Sequence, residues 1–220
     1  MKQKEILLFG ATGQIGRNLI RKLSKNNYKI IAVTRNIHRA GYILKTQANP
    51  GYLELVEINN FDTRRIDDLI KRCSICVNLI GILYEKKKGH FKTIHTDFPD
   101  MLSQRMNKFK NDKFIHLSSL GIEKALDSEY AKSKLNGEKK IAQNFKNSII
   151  IKPSIVYSVD DKFTTSFMSL LSNLPIMPLY FNGKTKFIPI HVTDLVDIIF
   201  NMIEGKKNNL TIECVGPETY

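Results

Sequence analysis

The sequence has no long apolar run. Its longest uncharged apolar stretch, Ser74 to Tyr84, covers eleven residues with Asn78 and Gly81 inside it, whereas a bilayer-spanning helix needs about 18 or more. No transmembrane segment is expected. Met1 to Glu5 passes straight into the short apolar run Ile6–Phe9 and a glycine turn, with no room for the apolar core and cleavage site of a secretory leader. The expected location is therefore the cytoplasm. Cysteine is scarce as well: Cys73, Cys76 and Cys214 cannot form a disulfide framework, which agrees with a reducing compartment. Cys73 and Cys76 read CxxC, but they precede a predicted strand, whereas redox pairs open a helix, and no second pair or nearby histidine completes a zinc site. No metal is expected, and Cys76 reads as a small apolar strand residue. Acidic residues are the third shortage, 21 against 34 Lys and Arg, for a net charge of +13. Such a field favours anionic partners, either a phosphate-bearing cofactor or an anionic lipid face. The lysines are scattered, with short runs at Lys86–Lys88 and Lys206–Lys207. No basic stripe interleaves with aromatics, so nucleic acid is not an expected partner.

The chain is rich in alternation. Short β-rich apolar runs at Ile6–Phe9, Ile30–Val33, Leu53–Glu57, Ile75–Leu79, Phe114–Leu117 and Ile149–Lys152 are separated by helical periodicity at Ile15–Ser24, Arg64–Lys71, Phe98–Phe109 and Glu129–Gln143. That pattern implies βαβ units, right-handed crossovers and a doubly wound parallel α/β sheet of Rossmann type. After Pro153 the spacing loosens: Phe163–Ser172 and Val192–Ile203 read as helices, Pro175, Pro178 and Pro189 as breaks, and Leu210–Val215 as a last strand. Residues 1–155 are expected to form a dinucleotide-binding domain, and 156–220 a small substrate lobe packed on it. The chain's end at Tyr220, just after Gly216-Pro217-Glu218, would leave that lobe partial.

Gly10-Ala11-Thr12-Gly13-Gln14-Ile15-Gly16 is a GxxGxxG loop between a predicted strand and a predicted helix. In that setting the first glycine permits the turn, the second lets amides approach a diphosphate, and the third lets helix and strand close on each other. The diphosphate would rest on the helix N-terminus near Gln14. An NAD site places a carboxylate at the end of the second strand, but here the residues are Val33-Thr34-Arg35-Asn36. Arg35 instead suits a 2′-phosphate, with Thr34 and Arg39 as helpers, so NADP(H) is preferred over NAD(H). Asn59, Asn60 and Asp62 follow the third strand, where polar groups would meet the adenine. Gly81, after Asn78-Leu79-Ile80, would let the backbone pass beneath the dinucleotide.

Tyr130 and Lys134 form YxxxK on a predicted helix, facing the same side at i, i+4. A neighbouring ammonium and the cofactor's charges are together expected to lower the phenol's pKa and let Tyr130 serve as general acid or base. Ser118-Ser119 ends the fifth strand, and Ser119, with Ser118 next, is placed to hold a reacting oxygen.

These segments, together with Phe114 to Ser119, Ile151-Lys152-Pro153-Ser154, Gly137-Glu138 and Pro189 to Leu195, resemble the NAD-dependent epimerase/dehydratase superfamily, an extended and atypical branch of the short-chain dehydrogenases/reductases. Within it the pattern is most similar to the group of nucleotide-binding accessory subunits of respiratory complex I and their bacterial relatives. The resemblance implies a held NADPH touching Tyr130, Lys134 and Pro153, and a peripheral position beside a membrane complex, on the inner face of the membrane. It implies no established turnover; links of related proteins to quinone biosynthesis keep open an NADP(H)-dependent reductase or epimerase acting on a quinone-related or lipid-like group. Ser119 and Tyr130 stand eleven positions apart, closer than in sugar-nucleotide epimerases, which argues against a nucleotide sugar. His95 stands where many relatives have an Asn that supports the proton relay, and is expected to weaken that relay.

Overall fold

In the computed structural model, residues 5–59, 63–161, 165, 168–169, 172–173 and 186–220 are described. Six strands follow the expected βα alternation: β1 (Glu5–Phe9), β2 (Lys29–Thr34), β3 (Leu53–Glu57), β4 (Ile75–Asn78), β5 (Lys113–Leu117) and β6 (Ser148–Pro153). They join a last strand to form one parallel sheet, in the order β3, β2, β1, β4, β5, β6 and then Leu210–Cys214. Between β6 and that last strand, Val156–Tyr157 (β7) pairs with Ile190–His191 (β8), so Leu210–Cys214 is β9. The helices are α1 (Gln14–Lys25), α2 (Ile37–Leu44), α3 (Thr63–Arg72), α4 (Phe98–Lys108), α5 (Glu129–Asn144) and α6 (Val192–Glu204). The helix expected over Phe163–Ser172 lies largely outside the described residues.

Strands buried on both faces need apolar residues at every position, and β1 supplies them. Ile6 and Leu8 face a layer containing Leu19, Ile20 and Leu23 of α1 and Leu195, Val196 and Ile199 of α6. Leu7 and Phe9 face the opposite layer, with Ile66, Leu69 and Ile70 of α3 and Phe98, Leu102 and Met106 of α4. In α1 the buried positions Gly16, Leu19, Ile20 and Leu23 keep the i, i+3, i+4, i+7 spacing of one helical stripe. Within the stretch after residue 155, α6 packs beside α1 and β9 extends the sheet past β6.

Two elements go beyond the sequence expectation. Helix α2 forms where no periodicity marked it; Asn36 caps it by accepting from the Arg39 amide at 2.9 Å, and Glu57 at the end of β3 accepts from the Ile37 amide at 2.7 Å. The helix expected from Phe98 is preceded without a break by a π-helical turn, Lys92–Asp97, which buries His95. This wide turn lies against α5 at Gly137, where a Cβ atom would overlap the His95 carbonyl oxygen. Gly137→Ala is accordingly expected to lower unfolding free energy by about 2–4 kcal/mol in urea titration. Gly41→Ala, at a helical glycine with open space around it, should raise it by about 0.5–1 kcal/mol.

Candidate functional site

The strand order reverses between β1 and β4, and ligands of open α/β sheets bind in the crevice at the strands' carboxyl ends at such a switch point. Gly10 turns the chain there with φ +82°, in the left-handed region. A Cβ on it would lie 2.9 Å from the Leu79 carbonyl carbon, and one on Gly16 would overlap the Gly10 carbonyl oxygen. The Gly13 amide donates to Gly10 at 3.1 Å, which closes the turn. Gly13 then starts α1 with no side-chain cap and no acidic residue in the first turn, so the amides of Gln14, Ile15 and Gly16 have no intrahelical acceptor. Thr12 and Gly13 are exposed, and a Cβ on Gly13 would meet nothing closer than 3.4 Å. This is a cradle for an anion, and a dinucleotide's diphosphate fits it.

At the end of β2, Arg35 is exposed. Thr34 is buried, and its hydroxyl accepts from the Asn36 amide at 3.3 Å; Arg39 follows in the first turn of α2. The sequence shows no carboxylate along this stretch, but the fold brings Glu57 to it from β3. Hydrogen bonds from the Ile37 amide and from Asn59 hold that carboxyl below its ordinary pKa. Asn59 is exposed and engaged with Glu57 at 3.2 Å. Asn60 and Asp62 lie outside the described residues.

The chemistry-bearing residues of β5 and α5 meet around a cavity of about 240 Å³ lined by Ile15, Leu79, Gly81, Ser118, Tyr130, Lys134 and Pro153, with Ile82, Leu83, Leu117 and Val156 adding apolar walls. The Tyr130 hydroxyl hydrogen-bonds with Ser119. Ser118 is buried, and its hydroxyl has no hydrogen-bond partner among the described residues. Lys134 Nζ sits 5.6 Å from the Tyr130 ring centroid and donates to the Leu117 carbonyl at 3.5 Å. Burial pushes the Lys134 ammonium down to about 8. Burial raises the Tyr130 pKa, and the Ser119 bond offsets part of that rise.

Beneath the cavity lies a buried polar network. The Ile82 amide donates to His95 Nε2 at 3.1 Å, so the ring proton sits on Nδ1, which faces Ser133 Oγ at 2.9 Å; Ser133 donates in turn to the Tyr130 carbonyl at 2.7 Å. Asn78 accepts from the Ile80 amide at 3.1 Å and donates to His116 Nδ1 at 3.2 Å. Burial first, then the Lys134 charge, lowers each histidine to about 3. In the CxxC pair, burial holds the Cys73 thiol up at about 12 and the Cys76 thiol well above its ordinary value.

Comparison with known families matches residues 6–214 to the NAD dependent epimerase/dehydratase family. The chain belongs to this family. Curated relatives include the 40 kDa subunit of NADH-ubiquinone oxidoreductase from Neurospora crassa, 26% identical over 97% of this chain and 56% of the relative. The mouse NADH dehydrogenase 1 alpha subcomplex subunit 9 is also 26% identical, over 97% and 57%. A ceramide reductase from Caulobacter vibrioides is 24% identical over 86% and 57%. The family member thus spans little more than half the length of these relatives. Among solved structures, dTDP-glucose 4,6-dehydratase from Bacillus anthracis in complex with NAD superposes with TM-score 0.77 at 20% identity, covering 99% of this chain and 77% of that one. WbmG from Bordetella bronchiseptica, in complex with NAD, does so at 0.74 and 13%, covering 100% and 74%. These similarities confirm the Rossmann-like fold.

Sequence reading missed Arg17, Ser158 and Asp160. Arg17 donates to the Thr12 carbonyl at 3.2 Å and pairs with Asp160, while Gln14 donates to Ser158 at 2.8 Å. The segment after β7 is thereby tied to the glycine turn across more than a hundred residues, and no local pattern marks such a contact. The buried Lys134 yields a test. Its pKa is lowered on folding, so its charge opposes folding below pH 8; that penalty fades as pH rises from 8 toward the unfolded value near 10.5 and is gone above it. Lys134→Met should therefore raise stability by about 1–3 kcal/mol at pH 7 and by little at pH 10.5 in urea unfolding of the ligand-free protein; equal effects at the two values would refute the assignment.

Proposed function

We propose that this chain holds a nicotinamide dinucleotide along the carboxyl edge of β1, β2 and β4, with NADP(H) preferred over NAD(H), and serves as a cofactor-braced accessory subunit of the respiratory complex I type at the membrane's inner face. The observation that carries the reading is the uncapped α1 N-terminus beneath the Gly10–Gly13 turn at the switch point. Gly10, Thr12, Gly13, Gln14, Ile15 and Gly16 would hold the diphosphate, and Asn59 and Asp62 would face the adenine. Gly81, Tyr130, Lys134 and Pro153 would face the nicotinamide half. Arg35 is exposed and turns freely onto a 2′-phosphate, while Glu57, the nearby carboxylate, is occupied by the Ile37 amide. Residues 1–155 carry these contacts in this proposal, and 156–220 complete the substrate side. The relatives named as NADH-ubiquinone oxidoreductase subunits support the accessory role.

A second reading, an NADP(H)-dependent reductase or epimerase acting on a lipid-like or quinone-related carbonyl or alcohol, is favoured by the apolar cavity walls beside Ser118, Ser119 and Tyr130, and by the ceramide reductase among the relatives. A bound nicotinamide would supply or accept the hydride. In the reducing direction Tyr130 gives its proton to the substrate oxygen, Ser119 holds that oxygen by a hydrogen bond, and the Lys134 ammonium stabilises the phenolate left behind.

Calorimetry tests the cofactor. NADPH should bind about 10- to 100-fold more tightly than NADH, the contribution of charge-assisted hydrogen bonds to one phosphate. Arg35→Glu should erase that margin, and Gly13→Asp should abolish binding of both by placing a carboxylate in the anion cradle; no heat with either cofactor sinks the proposal. Recovery of complex I subunits with the tagged chain from solubilised source membranes supports the accessory role, and recovery without them counts against it. Tyr130→Phe separates the two readings, since it should remove any turnover while leaving NADPH affinity unchanged.

A further inference from the structure

The segment that forms one wall of the cavity continues outward as an unusual surface. Ile82 and Leu83 line the cavity, yet Leu83 is 81% exposed and the adjacent Tyr84 68%. After Glu85 come Lys86, Lys87 and Lys88, all exposed. The loop is built: the Glu85 carboxylate turns back to accept from the Phe91 amide at 2.6 Å, and the His90 amide donates to the Lys87 carbonyl at 3.2 Å. Gly89 takes φ +86° to close the turn. The exposed Glu85 carboxylate is therefore engaged by a backbone amide, and among the described residues no carboxylate forms an ion pair with the three lysines. Two large apolar side chains beside a cluster of unpaired cations, on a loop ordered by its own hydrogen bonds, match the interface of an anionic bilayer. The rings and methyls enter the acyl boundary while the ammonium groups meet lipid phosphates.

We infer that the Leu83–Lys88 loop docks the protein on an anionic membrane surface and turns the mouth of the cavity toward the lipid. The inference rests on the reading of that cavity as the substrate side of the dinucleotide site, and it extends that reading by naming the surface from which an apolar substrate would enter. A protein partner would have to offer an acidic and an apolar surface together; a bilayer offers both everywhere along its plane, which favours the lipid.

The full chain contains no tryptophan, so Tyr84→Trp introduces a single reporter at the loop tip. With vesicles of phosphatidylcholine containing one third phosphatidylglycerol at low salt, its emission should shift to the blue and the protein should float with the vesicles. Pure phosphatidylcholine should give neither result. Replacing Lys86, Lys87 and Lys88 by Glu should lower vesicle partitioning at least 50-fold, about fivefold or more per charge removed near the surface, and high salt should do the same to the unaltered loop. The triple variant should keep its melting temperature and NADPH affinity, which separates a surface effect from damage to the fold. Gly13→Asp, which disables the proposed cofactor cradle, should leave flotation intact, so the two readings fail independently. An unshifted emission, equal flotation of the triple variant, or capture of an acidic protein in place of vesicles overturns the inference.

Discussion

The site depends on a close approach of backbone to backbone. The turn after β1 lies against the Leu79–Ile80 peptide at the end of β4, and the first turn of α1 lies against the Gly10 carbonyl. Neither contact leaves room for a side chain. Because β1 and β4 are the strands where the sheet reverses direction, this packing also opens the crevice. It aims the unpaired amides of α1 into the crevice, so that a close backbone approach and an anion-attracting helix end coincide.

The second constraint is the buried polar network under the cavity. His95 links the Ile82 amide to Ser133, and Ser133 links to the Tyr130 carbonyl. The wall of the cavity and the helix that carries Tyr130 and Lys134 are thus joined through one neutral imidazole. An Asn at this place would suit a proton relay; His95, held neutral and with both ring nitrogens engaged, suits a brace. Farther along α5, Glu138 meets Lys152 at 2.9 Å, and Lys152 also meets Glu123. This places a buried ion pair between α5 and β6. Removing one partner of such a pair destabilises far more than the intact pair stabilises, so Glu138 in the middle of α5 and Lys152 on β6 depend on each other.

Most of the sheet was legible in the sequence because its signals are local. Apolar runs mark strands, a glycine loop followed by a 3–4 stripe marks β1 and α1, and YxxxK after Ser118-Ser119 marks α5. What escaped is set by distant partners. Helix α2 is short, and one of its first amides is satisfied by Glu57 from another strand. The π-helical turn exists because His95 must reach inward over Gly137. The carboxylate missing from the end of β2 arrives from β3 by parallel pairing, Thr34 beside Glu57, a neighbour that only the register supplies. Around Tyr130, likewise, spacing shows that Lys134 is near, but not that both groups are buried, and burial dominates the two shifts.

Those two shifts bear on how the proposed cofactor and the chain act together. Without a ligand, the low-dielectric pocket disfavours charge on either group, so Lys134 releases its proton more readily than an ordinary lysine and Tyr130 less readily than an ordinary tyrosine. That is the reverse of what acid–base work on a carbonyl requires. An anionic diphosphate on α1 adds negative charge near Lys134 and favours its protonated form, and a protonated Lys134 in turn makes the Tyr130 phenolate less costly. In the proposed reading the cavity would therefore become chemically competent only as the anion cradle fills. In the proposed reading, a chain that retained the cradle while its cavity received no substrate would still gain stability from the held dinucleotide, so the braced subunit and the enzyme would differ in what enters the cavity and not in how the cofactor is held.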